Sequence, residues 1–252
     1  MLRVFYFLVF ILGILMSECI YAVPSTITLI ADPKVLGIPI RENNECFVNL
    51  TEQAEILIGP SPEIPNNTNY TYLRKTVYEK LKQASNLLPQ GMHFCLYEGY
   101  RSLELQKMLF DTQYKNTKAR HPDWSLDQIF EETTKLVSPV INQDGSKNVP
   151  PHSTGAAIDV YLVNDKGEAY DMGIHPKDWM KDKDGELSLT GSSAISETAR
   201  KNRQLMIKAL TEAGFTNYPT EYWHWSYGDR YWAFSNNKPF AIYGSIQAVK
   251  CD

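Results

Sequence analysis

Apolar residues along this chain change their period several times. Leu73, Val77, Leu81, Ala84 and Leu88 recur at spacings of three and four, which places them on one face of a helix. The stretch "GMHFCLYEGY" that follows predicts a short apolar strand ending at Gly99. Ser102 is placed to cap a second helix running to about Lys115. "SLDQ" at Ser125–Gln128 has the spacing of a capping box that opens a third. A turn-rich segment, "SPVINQDGSKNVPP", then leads into "HSTGAAIDVYL", with a strand expected from about Ala156. Residues 163–193 are polar and irregular. The last long helix carries Ile195, Ala199, Met206, Leu210 and Ala213 on one face and stops at Gly214, where a glycine accommodates the left-handed turn that ends many helices. Upstream, residues 23–70 are rich in Pro, Asn and Thr, with only short apolar pieces such as "STITLI" and "CFVNL". This predicts an extended N-terminal arm with a few strands, wrapped on the domain.

The densest aromatic run is "TEYWHWSYGDRYWA", residues 220–233. Trp223, Trp225 and Tyr227 alternate there with His224, Ser226 and Gly228. In a strand, successive side chains point to opposite faces. The aromatics would then pack a core while His224 faces a cleft.

The amino-terminal end has a different pattern. Arg3 precedes an unbroken apolar core from Val4 to Met16, and Ile20 and Ala22 offer a small-residue exit. That is the layout of a secretory signal peptide. The apolar core is shorter than the roughly 20 residues that span a bilayer, which favours cleavage over a permanent anchor. A lipoprotein reading through Cys19 is weaker, because Glu18 stands where a small residue is needed. Residues 1–22 are therefore expected to be a signal peptide and 23–252 a single domain, exported to the periplasm or secreted, with no stable membrane span. The formal charge of −4 without a basic block argues against nucleic acid as a partner. Export permits a disulfide among Cys46, Cys95 and Cys251, but three thiols cannot all pair, and the spacing alone leaves the pairing open.

Five histidines occur, and two of them sit in contexts that suggest chemistry. His152 begins "HSTGAAIDVYL", with Asp159 seven residues on. In the expected strand Ala157, Asp159 and Tyr161 share a face. Gly155 lets the chain turn so that His152 can fold back toward Asp159. Two imidazoles, His152 and His224, with the Asp159 carboxylate suit zinc, and three protein ligands leave the fourth position for water, as catalytic rather than structural zinc sites do. Glu221, three residues before His224, is placed to act as the general base toward the attacking water and to pass its proton to a leaving amine. Arg101, directly after the "CLYEGY" strand, suits stabilisation of an oxyanion. Ser153 beside His152 could suggest a serine nucleophile, but sequence neighbours seldom have catalytic geometry and no G-x-S-x-G elbow occurs.

These residues resemble a known family. "HSTGAAID" resembles the S/P-x-H-x-x-G-x-A-x-D zinc motif of the D-alanyl-D-alanine dipeptidases and their D,D-peptidase relatives, with a loose fit at the first position. "NYPTEYWHWSYGDRYWA" is similar to the dipeptidase branch, and so are "ADPKVLGIPIREN" and "EGYRSLELQ", in the same order. The resemblance runs from about residue 27 to 243. It implies an α+β fold, an antiparallel sheet carrying the zinc site with helices packed against it. It implies one Zn2+ per chain on His152, Asp159 and His224, Glu221 as catalytic base, and Arg101 as the arginine of the transition state. The implied reaction is hydrolysis of a small D-Ala-D-Ala-type dipeptide to free D-amino acids.

Two stretches depart from the family pattern. Pro150 and Pro151 replace a serine-rich approach to the first zinc histidine, at positions that shape the pocket for the dipeptide's amino end. The family pattern M-G-x-x-F-D appears as "MGIHPKDW". Either Asp178, displaced by one residue, meets the substrate ammonium, or that contact is lost. Two other functions compete with the dipeptidase: a D,D-carboxypeptidase trimming peptidoglycan peptides, and a non-catalytic zinc-bearing binding module. The joint presence of Glu221 and Arg101 argues against the module, since binding alone needs neither.

Overall fold

The computed structural model describes residues 26–251 apart from 63, 65, 66, 183, 184, 247 and 249. The expected signal peptide lies outside the described residues. Among those residues no helix is long and apolar enough to cross a membrane.

In chain order the elements are α1 (Pro33–Leu36), β1 (Phe47–Asn49), β2 (Leu57–Ile58), β3 (Tyr72–Arg74), α2 (Lys75–Ser85), β4 (Met92–Glu98), α3 (Leu103–Arg120) and α4 (Leu126–Thr134). They continue with β5 (Ala157–Asn164), α5 (Glu197–Glu212), β6 (Thr216–Asn217), β7 (His224–Ser226) and α6 (Arg230–Ser235). Five strands form one sheet in the order β2-β4-β5-β7-β6. Only the β2–β4 pair is parallel; the others are antiparallel. β1 and β3 make a separate antiparallel ribbon. The mixed α+β class, with a mostly antiparallel sheet and packed helices, is the expected one.

Alternation along the strands separates two faces of the sheet. Phe94 and Leu96 of β4, Ile158, Val160 and Leu162 of β5, and Trp225 of β7 share the main core. Val77, Leu81 and Ala84 of α2 and Met206, Ala209 and Leu210 of α5 pack in that same core. Burying such side chains contributes about 1.5–3 kcal/mol each, which ties both helices to this face. The opposite face carries Cys95, Tyr97, Tyr161 and Val163, together with Asp159 and His224.

Local sequence sets the helix boundaries. Ser102 caps α3 by accepting from the Leu105 amide. Ser125 and Gln128 form the expected capping box of α4, and Ser196 caps α5. Gly214, at φ +91°, follows α5.

Three expectations are corrected. Leu73 belongs to a strand and pairs with Val48; its position four before Val77 suggested a helix, but the ribbon pairing takes residues 72–74 and α2 starts at Lys75. α3 runs five residues beyond Lys115, to Arg120, because nothing in "NTKAR" breaks a helix. Of "STITLI", the described residues 26–30 form turns and bends rather than a strand, and the arm instead carries α1, capped by Asp32 with Pro33 in the first turn. The arm does return to the domain, through Ile40 beside Ala241.

Cys46 and Cys251 form a disulfide, and Cys95 is a buried free thiol.

Candidate active site

Asp159 and His224 are direct cross-strand neighbours on β5 and β7, so the pleat alone sets their side chains on one face. His152 reaches them from a 3-10 turn, Pro151–Thr154, that ends at Gly155 with φ +70°. A Cβ at position 155 would also lie 2.1 Å from a Phe47 ring carbon, so both the backbone and the close packing require glycine. That turn folds His152 back over the sheet.

The three side chains converge tightly. His152 Nε2 lies 3.1 Å from His224 Nδ1 and 3.4 Å from Asp159 Oδ1, and His224 Nδ1 lies 3.0 Å from Asp159 Oδ1. All three residues are buried. Tetrahedral ligands about 2.0–2.2 Å from a metal stand about 3.3–3.6 Å apart, so the triangle is close to the size such a site needs. The donor chemistry fits as well. The Gly99 carbonyl accepts from His152 Nδ1 at 2.8 Å, which assigns the lone pair to Nε2 and turns it toward the cluster. His152 Nε2 and His224 Nδ1 face the Asp159 carboxylate, and with His224 in the tautomer that turns its lone pair inward the three are all acceptors, a donor set that suits a cation. Burial opposes ionisation of Asp159, yet the His152 and His224 imidazoles outweigh this and hold its carboxyl far below the usual range. Burial also disfavours the His152 cation, but Asp159 more than compensates and raises its pKa.

Glu221 sits in a turn closed by its own amide donating to the Tyr218 carbonyl and the His224 amide donating to the Glu221 carbonyl. Its carboxylate lies 4.0 Å from His224 Nδ1. Burial is the main cause that pushes its pKa up to about 7, with Asp159 adding to the rise and His224 and Arg101 opposing it. A carboxyl poised there can both take and return a proton near neutrality.

Arg101 follows β4 and is fixed on two sides. Its Nε donates to Glu98 Oε1 at 2.7 Å and its Nη2 to Glu98 Oε2. Nη1 donates to Gln106 Oε1 at 2.9 Å. A β-bulge makes this possible: Leu96 pairs with Val160 but Glu98 pairs with Asp159, so one extra residue on β4 brings Glu98 opposite the site. Sequence reasoning missed Glu98. Its signal was a glutamate three residues before the arginine in "EGYR", at the end of an apolar strand.

A cavity of about 310 Å3 opens over the triad and includes Arg101, Glu221, Tyr218 and Trp223 in its wall. α3 closes one side with Gln106 and Leu109, and Pro150 and Pro151 also reach it. On the other side it is lined by Pro176, Lys177, Trp179 and Met180. Asp178 is not in the wall; its carboxylate is held by Lys181 at 2.6 Å. The structure thus brings His152, Asp159, His224, Glu221 and Arg101 to one cavity and places Asp178 outside its lining.

Comparison with known proteins agrees with this geometry. Residues 64–241 match the peptidase M15 family, described as D-Ala-D-Ala dipeptidase. A D-alanyl-D-alanine dipeptidase of Synechocystis is 26% identical over 251 residues, covering 84% of this chain and 96% of the relative. Among solved structures, VanYB in complex with D-alanine-D-alanine is similar at 16% identity and a TM-score of 0.33, covering 74% of this chain and 86% of that one. A VanY D,D-pentapeptidase variant in complex with Zn(II) is similar at 15% identity and a TM-score of 0.34, covering 81% and 96%. At such scores neither structure bears on the fold or the site.

Proposed function

Since the chain belongs to the M15 peptidase family of D-Ala-D-Ala dipeptidases, we propose that it is an exported zinc enzyme that hydrolyses D-Ala-D-Ala-type dipeptides in the cavity above His152, Asp159 and His224. The observation that carries this reading is the convergence of three buried acceptors, two imidazoles and one carboxylate, beside a glutamate whose pKa is raised to about 7. That donor set favours zinc over calcium or magnesium, which prefer all-oxygen sites.

When bound, the metal supplies Lewis acidity and lowers the pKa of an attacking water. The chain supplies the rest. His152, Asp159 and His224 would hold the ion, and the Gly99 carbonyl orients His152. Glu221 takes the proton of the attacking water and returns it to the leaving amine. Arg101, held rigid by Glu98 and Gln106, presents its guanidinium to the oxyanion that develops on the scissile carbonyl. The triad burial keeps bulk water away from these charges and strengthens each interaction.

A cavity of about 310 Å3 is at the small end for ligand sites and favours a dipeptide over an extended wall peptide. The Cys46–Cys251 disulfide supports an oxidising compartment, in line with the apolar segment at residues 4–16. An exported dipeptidase cannot act on a cytoplasmic pool, so its substrates are wall-derived fragments outside the cytoplasm.

The test is hydrolysis of D-Ala-D-Ala by the mature protein with and without a chelator, beside an amino-blocked tripeptide. Chelator-sensitive cleavage of the free dipeptide alone is expected. Cleavage of the blocked peptide instead would assign carboxypeptidase activity, and zinc binding with no cleavage would assign a binding module. Cell fractionation tests export: mature protein found wholly in the cytoplasm would overturn it.

A further inference from the structure

His224 faces the triad with one nitrogen. Its Nδ1 lies 3.0 Å from Asp159 Oδ1 and 3.1 Å from His152 Nε2. A nitrogen that serves a cation presents its lone pair, so the proton of the neutral ring then sits on Nε2. That nitrogen is buried and has no hydrogen-bond partner among the described residues. A buried N–H without an acceptor is costly, and a metal-ligating imidazole ordinarily donates its second N–H to a carboxylate, a carbonyl or water.

A carboxylate oxygen is in the matching condition. Asp229 is 1% exposed, and its Oδ2 is a buried acceptor with no partner among the described residues. The other buried side-chain atoms in that condition are the hydroxyls of Ser85, Ser153 and Thr220, which can donate as well as accept. Asp229 Oδ2 can only accept.

The fold sets this carboxylate on the histidine's side of the sheet. Ser226 Oγ donates to Asp229 Oδ1 at 2.9 Å, and so does the Trp232 amide at 2.7 Å, which caps α6. Ser226 follows His224 by two positions on β7, so both side chains leave the same face. Burial raises the Asp229 pKa, and the groups that oppose the rise include the His224 and His152 imidazoles, which are thus within electrostatic reach. Asp229 is not in the cavity wall. It stands behind the histidine, away from the substrate.

We propose that Asp229 is a positioning residue of the zinc site: its Oδ2 takes up the Nε2 proton of His224 in a hydrogen bond bridged by one buried water, and so fixes Nδ1 as the nitrogen that faces the ion. The two atoms make no direct bond, and a single water between polar partners is nearly as good an acceptor. This rests on the zinc reading above.

The test uses the zinc-loaded full chain with 15N-labelled histidine. By NMR, wild-type His224 is expected to show a metal-bound Nδ1 and a protonated Nε2 whose proton exchanges slowly with solvent. Asp229→Asn keeps an oxygen able to cap α6 but sets an amide N–H toward the imidazole N–H. Its zinc affinity, measured against a chromogenic chelator, is expected to fall roughly 10- to 100-fold, and its Nε2 proton to exchange rapidly. Unchanged zinc affinity, or weaker affinity with the Nε2 proton still protected, would overturn the role of Asp229 and leave the zinc reading intact. Should Asp229→Asn fail to fold, the wild-type spectrum decides: zinc bound through His224 Nε2, or a freely exchanging Nε2 proton, would overturn the proposal. A wild-type chain that takes up no zinc would overturn both.

Discussion

Glu98 grips the guanidinium of Arg101 with both carboxylate oxygens, from the last position of β4 and directly opposite Asp159. The arginine is thereby held in one place, so in its proposed oxyanion role no reorganisation would be needed as charge develops. Glu98→Gln replaces one of those acceptors by a donor facing the guanidinium. A kcat loss of about 100-fold is expected, comparable to losing one oxyanion donor, with metal content unchanged. Because Glu98 is buried, stability should fall by about 3 kcal/mol, read from denaturant titration.

Gly155 holds the turn that delivers His152. Gly155→Ala would force a left-handed backbone on alanine and drive its Cβ into Phe47. A destabilisation of at least about 1–3 kcal/mol is expected, together with weaker zinc binding in competition with a chromogenic chelator. A variant of native stability and zinc affinity would contradict the assigned role of this turn.

The pKa shifts around the triad give the metal-free protein a definite pH dependence. Folded Glu221 keeps its proton to about pH 7, whereas the unfolded chain loses it near 4.5. Folded His152 likewise keeps its proton above the ordinary histidine value. Both groups bind protons more tightly when folded, so stability must decline as pH rises through their folded values. Calorimetry of the metal-free protein should show Tm falling between about pH 5 and 8 from these groups. Zinc displaces the protons. Titration in buffers of different ionisation enthalpy should therefore show more protons released at pH 6 than at pH 8.

The Cys46–Cys251 bridge closes a loop of 205 residues and fastens the C-terminal end beside β1, where the Cys251 amide donates to the Phe47 carbonyl. In the chain-entropy treatment, such a loop contributes up to about 5 kcal/mol. The double variant Cys46→Ser, Cys251→Ser should lose several degrees of Tm and retain its zinc stoichiometry, since the triad lies on the central sheet.

Much of this arrangement was legible in the sequence because it is written in local periods. Alternation turned His224 away from its aromatic neighbours and grouped Asp159 with Ala157 and Tyr161, and the β5–β7 register then put both on one face. Ser102, Ser125 and Gly214 marked real helix ends. The less legible parts depend on pairing between distant segments. Leu73 kept helical phase but was captured by β1. The bulge that turns Glu98 toward Asp159 exists only as a register between β4 and β5. The partners of Cys46 could not be read from spacing, because residues 46 and 251 meet only through the folded domain. Asp178 and Lys177 are adjacent in sequence, and which of them lines the cavity is decided by the 3-10 turn from Pro176 to Lys181.

In the proposed mechanism Glu221 performs the proton transfers while His152, Asp159 and His224 hold the metal. Glu221→Gln measures this directly, by zinc content and D-Ala-D-Ala turnover on the same preparation. One zinc per chain with kcat reduced by about 100- to 10,000-fold is the expected result. A Glu221→Gln protein that binds zinc and hydrolyses the dipeptide at the wild-type rate would contradict the mechanism.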